Sequence, residues 1–89
     1  MSKERRSLLM DVEHGRACHD RWMDRRNRRQ EDPQYQDRWY AEQCGACRYF
    51  VRLQGVLEAD YGACSNTKSP FDGRVMFEHD GCEFFESSE

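Results

Sequence analysis

At 89 residues the chain makes one small domain, a length at which a hydrophobic core alone is thin. Charged residues are 35% against 37% apolar, and the mean hydropathy is −1.11, so the composition borders on disorder unless a metal, a disulfide or a partner holds it. Residues 1–40 carry a net +2 and residues 41–89 a net −5. Neither half has the strongly basic footprint of a nucleic-acid binder, and no run approaches a membrane span.

The first ten residues are positively charged, but their apolar run, Leu8-Leu9-Met10, is too short for a signal-peptide core. The expectation is a cytoplasmic protein. There thiols stay reduced, and spaced cysteines bind metal more often than they pair.

Residues 1–42 read as a helical arm. Leu8, Leu9, Val12, His19, Trp22, Met23 and Arg26 follow a rough 3-4 spacing, which predicts a helix from about Leu8 to Arg29. Asp32-Pro33 is a start signal, and a second helix from Pro33 to Glu42 would set Tyr35 and Trp39 one turn apart. Residues 43–89 change character. Glycines punctuate short β-type runs at Tyr49–Leu53, Tyr61–Cys64 and Arg74–Phe77, with turns at Gln54-Gly55 and Ser69–Gly73. The predicted fold is therefore α+β: a two-helix arm followed by a small antiparallel β domain built round a four-cysteine metal site. The tail from Glu86 to Glu89 is expected to fray.

The cysteine pattern is Cys44-x2-Cys47-x16-Cys64-x17-Cys82. A C-x2-C pair presents two sulfurs to one ion from a tight turn. The small residues before Cys64 and Cys82 let backbone approach the sulfurs and donate to them. These four are the predicted ligands. Two disulfides, or free buried thiols, are the alternatives. A thioredoxin-like redox pair is unsupported, because no βαβ pattern surrounds Cys44 and Cys47. Four thiolates suit a structural Zn2+ and equally a 4Fe–4S cluster, and the spacing leaves both open.

Two resemblances bear on the choice. Cys44-Gly45-Ala46-Cys47-Arg48-Tyr49-Phe50, then Gly62-Ala63-Cys64, then Gly81-Cys82-Glu83-Phe84-Phe85, is similar in order and spacing to high-potential iron–sulfur proteins. It also resembles the cluster-binding small subunits of glycyl radical enzymes. That resemblance implies a cluster on Cys44, Cys47, Cys64 and Cys82. The segment from Asp60 to Asn66, followed by Ser69–Val75 and Glu78–Cys82, looks like a bacterial family of uncharacterised cysteine-motif proteins common in actinobacteria. That one implies a small cytosolic domain and no established activity.

Other candidates are weaker. Tyr49, Phe50, Tyr61, Phe71, Phe77, Phe84 and Phe85 either shield a metal centre or form the core of a small sheet. His14 and Cys18 sit one helical turn apart, with His19 adjacent, and lack a fourth ligand; His79 lies near Cys82. The basic run Arg25-Arg26-Asn27-Arg28-Arg29 offers phosphate contacts, but nearby Asp20, Asp24, Glu31 and Asp32 favour a protein partner over nucleic acid. Trp22 and Trp39, with Arg25, Arg26, Arg28 and Arg29, are the predicted partner-binding residues, since aromatics and arginine dominate interface hot spots. No catalytic arrangement stands out. The expected function is a metal-binding protein module without activity of its own. An iron–sulfur electron-transfer or redox-sensing protein and a nucleic-acid-associated zinc protein are the rivals.

Overall fold

The computed structural model describes residues 6–89. It contains one α-helix, α1 (Val12–Trp22), and three short strands, β1 (Phe50–Arg52), β2 (Tyr61–Cys64) and β3 (Val75–Phe77). The class is α+β, as predicted.

The strands form an antiparallel meander in the order β1-β2-β3. Phe50 pairs with Cys64 and Arg52 with Gly62; Tyr61 pairs with Phe77 and Gly62 with Met76. Paired residues share a face, and alternate residues point oppositely. The register therefore sorts the sheet into two faces. One carries Phe50, Cys64 and Met76; the other carries Val51, Tyr61, Val75 and Phe77. Each face builds a different concavity, described below.

The core is small. Tyr61, Met76, Phe77 and Cys18 are its buried apolar members. Tyr61 packs edge-on against Trp22 and Phe77, at ring-centroid distances of 5.2 and 5.5 Å. Its hydroxyl lies 3.1 Å from His19 Nδ1, so its polar end is satisfied. The helix face that meets this core is Gly15, Cys18, His19 and Trp22, with Gly15 and Cys18 fully covered. Gly15 is required there: a Cβ would run into the Val56 side chain.

The helical arm differs from expectation. Asp11 caps α1 by accepting from His14 N at 2.9 Å, so the helix begins at Val12 and leaves Leu8, Leu9 and Val12 exposed. It gives way at Met23–Arg25 to a 3-10 turn, and Arg26 is extended. The reason is tertiary. Asn27 N donates to Asp80 Oδ1 at 2.9 Å, and the Asn27 amide both donates to Gly81 O and accepts from Gly81 N. Those bonds need the chain to leave the helix at Arg26 and outweigh helix propensity.

The second predicted helix, Pro33 to Glu42, is a single 3-10 turn at Asp37–Tyr40. Asp32 does not cap a helix. It accepts from Gln34 N at 2.9 Å in a local turn, and a ten-residue charged helix has little intrinsic stability to resist this. Tyr35 and Trp39 nevertheless meet edge to face at 5.2 Å. The tail is tied down as well: Arg48 N donates to Glu86 O, and Ser88 N to Ala46 O. Among the described residues no helix is long and apolar enough to cross a membrane.

Candidate metal centre

Cys44–Ala46 forms a 3-10 turn closed by Cys47 N donating to Cys44 O at 2.9 Å, which sets both cysteines of the C-x2-C pair on one knuckle. The knuckle is seated on the loop after β3. Cys44 N donates to Asp80 O at 2.7 Å and Gly45 N to Glu78 O at 2.8 Å. That loop carries Cys82. Cys64 closes β2, directly opposite Phe50 on the sheet face turned toward the knuckle.

All four cysteines are free and half-buried, and all four line one cavity of about 20 Å³. Phe50, Met76, Tyr49, Phe71 and Phe85 supply its apolar wall. Among the described residues no lysine or arginine lines it. Burial pushes the Cys44 thiol up to about 12, with Asp80 and then Cys82, Cys47 and Cys64 adding to the shift.

The fully formed four-cysteine cage expected from the sequence is not seen. Among the described residues no group of three or more His, Cys, Asp or Glu side chains is arranged to hold an ion. Neutral thiols exert no attraction that would draw them to ligand spacing, and as thiolates they would repel one another. The side chains border a common space without closing on it.

Asn66 and Ser69 were not singled out from the sequence. Both are buried. Ser69 Oγ donates to Cys82 Sγ at 3.4 Å, and Asn66 Nδ2 donates to Phe84 O at 2.9 Å, holding the strand of chain beyond Cys82. A donor to sulfur favours the thiolate. The legible signal was the turn chemistry of Ser65-Asn66 and Ser69-Pro70, which points to structure and not to a sulfur contact.

Asp80 is the keystone. It is only 4% exposed, and burial raises its pKa against the opposing hydrogen bonds from Phe77 and Asn27. Its carboxylate accepts from Phe77 N and Asn27 N, both at 2.9 Å, while its carbonyl accepts from Cys44 N. One residue thus joins the arm, β3 and the knuckle.

The glycine before Cys82 has a different task from the one expected. Gly81 does not donate to a sulfur; its N–H goes to Asn27 Oδ1 at 3.2 Å. A Cβ at Gly81 would strike the Arg28 guanidinium. Arg28, 5% exposed, stacks over Trp39 at 4.2 Å and donates to Glu42 O at 3.0 Å, with Glu83 3.7 Å away. Arg28 and Trp39 are therefore engaged within the chain. Arg26 lies over Phe77 at 5.0 Å, and Arg29 donates to Asp24 O at 2.6 Å. Trp22 is half-buried on Tyr61, and Arg25 is exposed.

The remaining candidates stand apart from the cavity. Cys18 Sγ is 3.6 Å from His14 Nε2 and accepts from Arg21 at 3.5 Å, buried beneath α1. His19 is taken by Tyr61. His79 stacks edge-on with Phe77 at 5.1 Å and pairs with Glu78 at 3.3 Å, and it does not line the cysteine cavity.

No curated protein and no solved structure matches the chain. A family model matches across both the helical segment and the cysteine-bearing sheet, over residues 1–87: the chain belongs to the family described as protein of unknown function (DUF3027).

Proposed function

We propose that the protein binds one metal ion, Zn2+ by donor chemistry, through Cys44, Cys47, Cys64 and Cys82, and that the ion fastens a small binding module together. The observation that carries this reading is the convergence of four thiols, from three separate stretches of chain, on one cavity of about 20 Å³. That space suits a single water-sized body. The donor set is all sulfur, and among the described residues no basic side chain lines the cavity to neutralise thiolates, so a shared cation is the natural counter-charge.

Zinc on four thiolates would leave no open position, so its contribution is structural and not catalytic. It would tie the knuckle to the ends of β2 and of the loop after β3. Ser69 would orient Cys82, and Asp80 would fix the knuckle backbone.

The test is anaerobic purification, metal analysis and replacement by Co2+. One zinc per chain, and a cobalt spectrum typical of tetrahedral thiolate ligation, are expected. A brown protein with iron and acid-labile sulfide would establish the iron–sulfur alternative. A metal-free protein of unchanged stability would remove the metal reading altogether.

A further inference from the structure

The second concavity lies on the opposite face of the sheet. It is a cleft of about 460 Å³ between the Trp22–Asn27 segment and strands β2 and β3. Its size falls within the range of small-molecule sites, roughly 300–1,000 Å³. Trp22, Tyr61, Phe71 and Phe77 give it aromatic walls, and Arg25 and Arg74 stand in the same lining.

Most described arginines are engaged within the chain; Arg6 and Arg16 are not, but neither lines the cleft. Arg26, Arg28, Arg29, Arg38 and Arg52 each make hydrogen bonds, ion pairs or ring contacts. Arg25 and Arg74 are exposed and make no ion pair or side-chain hydrogen bond with any described residue. Among the described lining residues the one carboxylate is Asp80; it accepts from two backbone N–H groups and pairs with neither arginine. Two uncommitted guanidinium forks beside aromatic walls match a planar ring that bears a doubly charged oxyanion. A long nucleic-acid strand is disfavoured, because the chain is net −3 and such binding draws on many cationic contacts.

We propose that this cleft binds a small aromatic phosphate of nucleoside-monophosphate size, with Arg25 and Arg74 on the phosphate and the ring against the Trp22 and Phe71 walls. None of the four cysteines lines the cleft. Phe71 and Met76 do line both concavities, so the two sites share a wall.

The test is calorimetric titration of the full-length protein, its metal content measured in the same sample, with adenosine and uridine monophosphates, adenosine, inorganic phosphate and a uridine octanucleotide. Saturable binding of a monophosphate is expected. It should be about tenfold or more weaker for adenosine, and weaker by a similar factor in Arg25→Gln and Arg74→Gln, in line with the usual worth of a charged hydrogen bond. Trp22 fluorescence should change with the same saturation curve. Val75→Glu, at a side chain 51% exposed on the cleft wall, should abolish binding with an unchanged melting temperature. No monophosphate binding at millimolar concentration overturns the proposal. So does equal binding of adenosine, unaltered binding in both arginine variants, or binding of the octanucleotide alone. Because metal content is read separately, failure here leaves the four-cysteine reading standing, and a metal-free sample that binds nucleotide does the reverse.

Discussion

Replacing Asp80 with alanine removes both side-chain acceptors from the junction of arm, strand and knuckle. The Phe77 N–H is buried, and losing its partner costs about 1–3 kcal/mol. The Asn27 N–H is only partly covered, so water recovers part of its bond and the net loss there is about 0.5–1.5 kcal/mol. Relief of carboxylate desolvation, the cause of the raised Asp80 pKa, offsets some of this. The expected destabilisation is about 1–4 kcal/mol, a large share of the stability of roughly 5–15 kcal/mol usual for a small domain. At about 4–8 °C per kcal/mol for this size, the melting temperature should fall by roughly 5–30 °C. Asp80→Asn keeps one carbonyl acceptor and turns an N–H2 toward the other donor, so it should fall between alanine and wild type. The assay is urea unfolding followed by tryptophan fluorescence and far-UV circular dichroism on metal-matched samples. An Asp80→Ala protein within about 0.5 kcal/mol of wild type would refute the keystone argument.

Serine at any one of Cys44, Cys47, Cys64 or Cys82 should sharply reduce bound metal by elemental analysis, while Cys18→Ser should retain it; chelation of the wild type should collapse amide dispersion for Tyr49 to Phe85 in NMR spectra. Gly81→Ala should cost about 2 kcal/mol or more by thermal melting, since the new methyl group meets the Arg28 guanidinium. Adding Arg28→Ala to it should cost less than the sum of the two single changes, a coupling read from the double-mutant cycle.

The strands were legible because their signals are local. Tyr61–Cys64 is bounded by turn residues and appears as expected, and the runs at Tyr49 and Arg74 are trimmed by a residue or two. The convergence of Cys64 with the knuckle follows from register once Phe50 is paired with it. What stayed hidden depends on long-range bonds. Nothing near Asn27 announces that Asp80 and Gly81 will pull the chain out of a helix, and Asp32-Pro33 carries the same letters for a cap as for a local turn. The arginine run looked uniform in sequence, yet Arg28 is internal while Arg25 faces a cleft. Only the position of each along the exit from α1 separates them. The cleft itself joins Arg25 to Arg74 across the sheet, a neighbourhood no local pattern encodes.

The clasp between Asn27 and Gly81 has a kinetic meaning. Its donors and acceptors lie 54 positions apart in the chain, so the loop it closes is among the longest the molecule forms and the entropy of closing it is met late. Contacts made after the folding barrier govern how fast the native state opens, not how fast it forms. The clasp therefore acts as a latch on lifetime: the sheet and its sulfurs can assemble before it shuts, and once shut it slows the escape of the arm that roofs the cleft.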